Sequence, residues 1–361
     1  MSIIVTLAIP IYNVEHYVER SLLSALNQDF SLPMEILVVD DCGSDSSMTI
    51  VQRLVQSHSR GGCVRIVRHP QNLGLGPARN TALREAAGQY LFFLDSDDYL
   101  SSDCVSLLYA KAIETDSDIT VGSMERIDEH TGIVREHMVY PFSPVRCTSA
   151  PFSLYAEGKH FHWEVWNKLY KTEFLRKNDI HCVHRIFEDM MFTFHAYANA
   201  TSIAFVPNIT LHYLIRQGSI LDEVSNSVKS EQALQVYSEY INMIKEYMLH
   251  QYKNINGICD YYFYLILMTF VSIRGCQSYT TDQLQRFDSR IKGFIRAIPS
   301  ANTLHNSEYR TVYTVCNLRG GGMREFLEAW RLRDMSPFQQ LVTYPIKLLI
   351  FTILHGKVVE K

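Results

Sequence analysis

The chain has 361 residues, of which 47% are hydrophobic and 20% are charged. This length suits one α/β domain with an appended region, and the apolar content supports a sizeable core, which excludes a disordered protein. The formal net charge of −4 argues against a nucleic-acid-binding protein, so we expect no nucleic-acid partner. The eight cysteines form no Cys-x-x-Cys pair, which is typical of reduced thiols in a cytoplasmic protein.

The N-terminus lacks the features of a secretion signal, because Met1 and Ser2 lead directly into an apolar run without a basic segment. The longest apolar stretch of the interior, residues 261–271, is shorter than the roughly 18 residues of a membrane-spanning helix. We therefore expect a cytoplasmic protein, with peripheral contact to the inner face of the plasma membrane as the alternative.

Predicted strands and helices alternate along the N-terminal part. Short apolar runs bounded by turn residues predict strands at residues 3–11, 35–39, 64–67 and 90–94. Helices are predicted after a cap at Asn13, after a cap at Ser44 or Asp45, and over residues 78–87, ending at Gly88. This alternation predicts an α/β fold of the Rossmann-like kind, with a mainly parallel sheet and helices on both faces.

Polar residues follow three of the predicted strands. Tyr12 comes after the first strand, Asp40 and Asp41 after the second, and an acidic segment, residues 95–98, after the fourth. Turn formation alone explains each of these groups singly, but it explains all three together poorly. Because ligands of parallel sheets bind beyond the carboxyl ends of the strands, these residues predict a binding site there.

The acidic segment contains Asp95, Asp97 and Asp98. Closely spaced carboxylates repel one another unless a cation lies between them. Oxygen ligands suit Mg²⁺ or Mn²⁺, which often bridge protein carboxylates to a substrate diphosphate. The alternative is a helix N-cap or an acidic turn, which uses the same residue types.

The middle of the chain is less regular. Strands are predicted at residues 118–124, 203–206 and 210–213. A helix is predicted to begin near residue 187, and Glu188 and Asp189 in its first turn also suit the helix dipole. Two histidine pairs, at 160 and 162 and at 181 and 184, lack the partners of a zinc site. His212 is either a metal or phosphate ligand or a packing residue.

Beyond about residue 225 the sequence becomes helical, with apolar positions at helical spacing between residues 234 and 248. Four arginines between residues 319 and 333 precede an apolar run at residues 345–354. Such a tail either lies in the interface of an anionic membrane or docks on the protein core. We predict a nucleotide-binding and catalytic domain at 1–220, a helical region at 221–335 and the tail at 336–361.

Several segments in this order resemble the family 2 glycosyltransferases, which have the GT-A fold. The resemblance covers about residues 3–220, and its segments are listed here in chain order: residues 8–13, 38–46, 72–74, 78–80, 93–98, 166–170 and 188–189. It implies an inverting glycosyltransferase that uses Mn²⁺ or Mg²⁺ and a nucleotide-sugar donor, most often a UDP-sugar. The polymerising members usually carry a Gln-x-x-Arg-Trp motif and transmembrane helices, which this sequence lacks, so we expect transfer of one sugar per binding event.

The resemblance also implies roles for residues on the nucleotide side. Pro10 and Tyr12 would line the base, Asp41 would accept a hydrogen bond from the base, and Asp40 would support the ribose or the loop. An aromatic ring can pack on uracil and a carboxylate can accept its ring N–H, which agrees with these assignments. One departure is Cys42, which stands where the family usually has glycine.

Diphosphate and metal contacts are implied in the same way. Arg79 would approach the diphosphate, Asp95 would face the nucleotide, and Asp97 would hold the metal, with Asp98 supporting it. Family members often carry two arginines near residues 214–216, but this chain keeps only Arg216, so any diphosphate contact from this segment rests on it.

On the acceptor side, the resemblance makes Asp189 the general base, with Glu188 beside it. Trp166 would stack on a sugar ring, or else belong to the core, and Lys168 would contact a lipid-linked diphosphate. We expect a glycan or polyprenyl-diphosphate-linked acceptor. A nucleotidyltransferase is disfavoured, because that class usually has a glycine-rich loop with a basic residue after its first strand. A non-catalytic nucleotide-sugar-binding or scaffold subunit is the remaining alternative.

Overall fold

A computed structural model of the protein describes residues 2–140, 164–183 and 188–216, with isolated positions between 239 and 310. The strands of this part are β1 (Val5–Ile11), β2 (Met34–Asp40), β3 (Val64–Arg68), β4 (Tyr90–Phe93), β5 (Tyr99–Leu100), β6 (Ile119–Asp128), β7 (Val134–Met138), β8 (Lys168–Lys171) and β9 (Ile203–Ile215). The helices of this part are α1 (Val18–Leu26), α2 (Ser47–Ser57), α3 (Leu75–Glu85), α4 (Cys104–Thr115), α5 (Thr172–Lys177) and α6 (Glu188–Asn199).

The chain divides into two compact units. One consists of Met1–Pro151 with His160–Gln217, and the other of Phe152–Lys159 with Gly218–Lys361. The sheet belongs to the first unit. The predicted helical region and C-terminal tail lie outside the described residues apart from isolated positions, so the predicted domain boundaries stay predictions. Among the described residues, no helix combines the length and the apolar character needed to cross a bilayer.

The N-terminal strands form the parallel part of the sheet. β1 lies between β2 and β4 and is parallel to both, and β3 extends this part beyond β2. Every residue of β1, β2 and β4 is buried, as expected for strands covered on both faces. Helix α1 packs Val18, Leu22 and Ala25 into the core at helical spacing. These strands and their parallel arrangement confirm the prediction.

The later strands add antiparallel pairs to the sheet. β8 is antiparallel to both β4 and β6, while β9 is parallel to β6 and antiparallel to β5. The complete order is β3-β2-β1-β4-β8-β6-β9-β5, with β7 paired to β6. β7, which was not predicted, follows β6 through a hairpin, and this connection gives an antiparallel pair.

Of the predicted helix caps, Asn13 has another role, whereas Asp45 bonds to the start of its helix. Asn13 adopts a left-handed conformation (φ 51°), and its side chain accepts a hydrogen bond from the N–H of Ser44 (2.8 Å). Helix α1 therefore begins only at Val18. Asp45 accepts a hydrogen bond from the N–H of Ser47, the first residue of α2 (3.0 Å), so it satisfies a donor at that helix end.

Asn167 joins three strands next to the site described below. Its side-chain N–H donates to the carbonyl of Gly122 in β6 (2.6 Å), and its oxygen accepts from the Thr210 hydroxyl of β9 (2.7 Å). A Cβ atom at Gly122 would lie 1.9 Å from the Thr210 oxygen. The closeness of these strands therefore requires glycine at position 122, and Asn167 fixes the start of β8 against them.

Candidate active site

The loops after β1, β2 and β4 lie at one edge of the sheet, because these three strands are parallel neighbours. β1 extends past the end of β4, so Pro10 faces only β2. A missing N–H is tolerated at such a position in a strand. Tyr12, directly after β1, is 47% exposed. Their contacts with a nucleotide base stay predictions.

The two aspartates after β2 hold the surrounding loops. Asp40 accepts a hydrogen bond from the N–H of Cys42 (3.0 Å) and pairs with Arg68 (3.2 Å). This agrees with the loop-supporting alternative for Asp40, and its contact with a ribose stays a prediction. Cys42 stands where the family usually has glycine. It adopts φ 59°, a backbone conformation that glycine reaches more easily than other residues.

Asp41 is buried and accepts three hydrogen bonds. Two come from the backbone N–H groups of Leu73 (2.9 Å) and Gly74 (2.8 Å), and one comes from Nδ1 of His69 (2.7 Å). His69 was not predicted as a site residue, although its position directly after β3, beside the predicted base-binding strand end, was an available signal.

The acidic segment after β4 forms a compact cluster. Ligand oxygens of Asp95, Asp97 and Asp98 all lie within 4.8 Å of one another. Asp98 is buried; one oxygen accepts from the N–H of Leu214 (2.9 Å), and the other, Oδ2, has no hydrogen-bond partner among the described residues. Burial and the neighbouring carboxylates raise the pKa of Asp98 well above its usual range. An unpartnered buried oxygen in an all-oxygen cluster fits Mg²⁺ or Mn²⁺.

Arg79 of α3 connects this cluster to the acids of α6. The side chain is 1% exposed, and its Nη2 lies 2.6 Å from Asp95 Oδ1. Its Nη1 donates hydrogen bonds to both Glu188 and Asp189. The structure therefore brings the predicted base and the predicted metal-binding segment into one site. The buried Arg79 guanidinium is engaged by three carboxyl groups, and its approach to a diphosphate stays a prediction.

The three carboxyl groups around Arg79 differ in their surroundings. Burial and the adjacent Asp189 raise the pKa of Glu188 well above its usual range. Burial also raises the pKa of Asp95 to about 6. The Asp189 side chain is 24% exposed, against 4% for Glu188. Of the two acids that begin α6, Asp189 is thus the one accessible to a ligand.

Asn80, the residue after Arg79 on α3, holds the segment that precedes α6. Asn80 donates from its side chain to the carbonyl of Cys182 and accepts from the N–H of the same residue, both at 2.7 Å. Arg79 and Asn80 are adjacent in the sequence, so one turn of α3 holds both the segment before α6 and the first residues of α6.

Arg216 lies on the other side of the acidic cluster. Its guanidinium pairs with Asp97 Oδ2 (2.8 Å) and lies over the ring of Tyr17 (4.8 Å). The cation lies against the predicted metal ligand, where it offsets part of the negative charge. A contact between Arg216 and a diphosphate stays a prediction.

The two predicted acceptor residues are buried. The Trp166 ring is 4% exposed and stacks on Tyr213 with 5.5 Å between the ring centroids. This agrees with the alternative that Trp166 belongs to the core. Lys168 is 1% exposed, and its Nζ donates to the carbonyl of Glu164 (2.6 Å). Burial lowers the pKa of Lys168 to about 8. The protein itself supplies partners for both side chains, and their contact with an acceptor stays a prediction.

Two of the histidines considered above, His181 and His212, pair with acidic residues that do not belong to the cluster. His212 bonds to Glu125 (2.7 Å) and stacks on Tyr99 (4.5 Å), so it has the packing role among its alternatives. His181 is an exposed neighbour of Asp179. The histidines at 160, 162 and 184 are outside the described residues.

The sequence profile of glycosyl transferase family 2 matches residues 6–199, which is more than half of the chain. The chain belongs to this family. It is 30% identical over 222 residues to the glycosyltransferase GlyA of Streptococcus pneumoniae, an alignment that covers 60% of this chain and 31% of GlyA. It is 26% identical over 270 residues to the cholesterol galactosyltransferase of Borreliella burgdorferi, covering 70% of this chain and 74% of that protein.

A third relative is the poly(ribitol-phosphate) beta-glucosyltransferase of Bacillus spizizenii, 31% identical over 218 residues, with 59% of this chain and 32% of that protein covered. The chain thus spans about a third of two of these relatives. Among solved structures, Staphylococcus aureus TarS 1-349 matches with a TM-score of 0.66 at 18% identity, covering 99% of this chain and 93% of that one. This likeness confirms the predicted fold class.

Proposed function

We propose that this family 2 glycosyltransferase moves one sugar, with inversion, from a UDP-sugar to a hydroxyl of a glycan or lipid-linked acceptor in cell-surface polysaccharide synthesis. The observation that carries the proposal is the Arg79 bridge, which unites Asp95 of the acidic cluster with Asp189 in one site. A charge-neutralising group and a proton acceptor are the two functions that glycosyl transfer from a nucleotide-sugar requires.

A divalent cation fits the acidic cluster. Asp97, with Asp95 and Asp98 beside it, would hold Mn²⁺ or Mg²⁺, because the three carboxyl groups offer only oxygen ligands. When bound, such a cation supplies Lewis-acid stabilisation of the charge that develops on a leaving diphosphate. Arg216 supplies further positive charge beside Asp97.

Asp189 is the proposed general base. The acceptor hydroxyl oxygen attacks the anomeric carbon of the sugar, its proton passes to Asp189, and the bond from that carbon to the diphosphate oxygen breaks. A single attack from the side opposite the leaving group inverts the anomeric centre. Glu188 is a poorer base in this position because its raised pKa favours the protonated form.

The comparisons support the donor and acceptor classes. S. aureus TarS 1-349 has been solved in complex with UDP-GlcNAc, and it matches this chain with a TM-score of 0.65 at 20% identity. The Bacillus spizizenii relative is named as a poly(ribitol-phosphate) beta-glucosyltransferase, which supports a polymeric acceptor. The chain's own donor sugar and acceptor follow from experiment rather than from these names.

Product release with a panel of UDP- and GDP-sugars in the presence of Mn²⁺ tests the proposal. We expect UDP release from a UDP-sugar when an acceptor is present. Asp189→Asn should lower the rate about 10²- to 10⁴-fold, because the amide cannot accept the proton. Donor binding should persist, because the amide oxygen can still accept a hydrogen bond from Arg79. Asp97→Asn should weaken Mn²⁺-dependent donor binding as well.

The matched control is Asp29→Asn, which changes an exposed aspartate outside the site and should leave the rate unchanged. Full activity of Asp189→Asn would remove that residue from the role of base. Absence of UDP release with every donor of the panel would refute the proposed donor class.

A further inference from the structure

His69 is a buried histidine that the proposed reaction does not use. It follows β3, and its backbone N–H donates to the carbonyl of Asp40 (2.9 Å). Only 7% of the residue is exposed, and both ring nitrogens have partners: Nδ1 lies 2.7 Å from Asp41 Oδ1, and Nε2 lies 2.9 Å from the Thr81 hydroxyl. The ring therefore connects the aspartate at the end of β2 to helix α3.

The partners of His69 define which nitrogen carries the proton. The backbone N–H groups of Leu73 and Gly74 donate to Asp41, so its carboxylate acts as an acceptor and Nδ1 of His69 must donate to it. In a neutral imidazole, Nε2 then accepts from the Thr81 hydroxyl, which in turn accepts from Nη2 of Arg84 (3.3 Å). Every hydrogen bond in this chain of donors points toward Asp41.

We propose that His69 is a positioning residue that aims the Asp41 carboxylate at the ring N–H of a uracil base, an inference that rests on the proposed function. A carboxylate offers about four acceptor directions. His69, Leu73 and Gly74 occupy three of them and prevent the carboxylate from turning. The fourth direction lies on Oδ2, which accepts only from Gly74 among the described residues, and the ring N–H of the base would donate there.

This arrangement selects between pyrimidine bases. N3 of uracil carries a hydrogen that can donate a hydrogen bond to a carboxylate. N3 of cytosine is itself an acceptor, so it forms no hydrogen bond with a carboxylate and the two groups repel each other. UDP and CDP share the ribose, the diphosphate and any bound cation. The ratio of their affinities therefore isolates the base contact from every other part of the nucleotide site.

Two variants of His69 separate its two hydrogen bonds. The side-chain amide of His69→Asn places its nitrogen near the position of Nδ1, and that of His69→Gln places its nitrogen near the position of Nε2. Titration calorimetry with UDP and CDP in Mn²⁺ should show a wild-type preference for UDP. His69→Gln should lower this preference about 10-fold or more, the effect of a lost hydrogen bond to a charged group, while His69→Asn should largely retain it.

A merely structural role would weaken UDP and CDP binding equally in His69→Gln, and an unchanged preference would overturn the inference. Nitrogen-15 NMR of the wild-type protein gives a test that needs no variant: we expect the tautomer with the proton on Nδ1, and the other tautomer would also overturn it. If the wild-type protein binds neither nucleotide, the proposed donor class fails and the inference fails with it. A wild-type protein that binds both equally refutes the base contact alone.

Discussion

The loops on the nucleotide side and the acidic centre differ in how their polar groups are satisfied. On the nucleotide side, the loops after β1 and β2 bind each other: Asn13 accepts from Ser44, and Asp45 accepts from the N–H of Glu15. In the acidic centre, five carboxyl groups (Asp95, Asp97, Asp98, Glu188 and Asp189) face two guanidinium groups (Arg79 and Arg216). In the first region the protein itself supplies these donors, whereas the second carries excess negative charge that a cationic ligand would offset.

We expect the largest effect from removing Arg79, which tests whether the acidic centre depends on this cation. Arg79→Met takes away the cation between three carboxyl groups, and we expect the free energy of unfolding to fall by about 3–5 kcal/mol because buried charges lose their partner. Urea denaturation measures the change. The control is Arg53→Met, whose exposed pair with Glu19 should contribute about 0–1 kcal/mol. Equal small losses in both variants would show that the acidic centre does not depend on Arg79.

Lys168 provides a pH-dependent test of the interior beside the acidic centre. The unfolded chain keeps the lysine proton up to about pH 10.5, whereas the folded protein releases it near pH 8. Between these values the unfolded state binds more protons, so the free energy of unfolding rises with pH. Relative to Lys168→Met, the wild-type protein should gain about 1–3 kcal/mol from pH 8 to pH 10. Parallel stability curves for the two proteins would contradict this.

The smallest expected effect lies on the nucleotide side. Cys42 has φ 59°, so Cys42→Gly should raise the free energy of unfolding by about 1 kcal/mol by removing the cost of that conformation. Donor affinity should not change, because the Asp40 bond at this position uses only the backbone N–H. Cys42→Val should destabilise the protein, since a β-branched residue fits this conformation poorly. A stabilising valine would refute the argument from conformation.

The sequence predicted the parallel half of the sheet because β1, β2 and β4 are buried apolar runs, and amphipathic helices follow β1 and β2. It missed β8, since the four residues Lys168–Lys171 include two lysines and give no apolar run. It also divided β9 in two at Pro207 and Asn208, where the structure has one strand with irregular register against Gly122 and Ser123. Both errors come from tertiary pairing that overrides a local pattern.

For the site, the sequence indicated which residues gather but not which bonds they make. The acids after β4 and at the start of α6 were predicted to meet, and the structure brings them together through Arg79. The direction of the Arg79 side chain and the partnership of His69 with Asp41 depend on which elements pack side by side. Residue types and their spacing along the chain do not contain that information.

The position of β8 has a consequence for biosynthesis. β8 lies between β4 and β6 in the sheet, yet it is translated after both of them. During synthesis, β4 and β6 cannot be joined until residues 168–171 have left the ribosome, so the growing chain holds two unpaired strand edges over that interval. Nascent chains arrested at increasing lengths should therefore gain protease resistance in a distinct step when these four residues emerge.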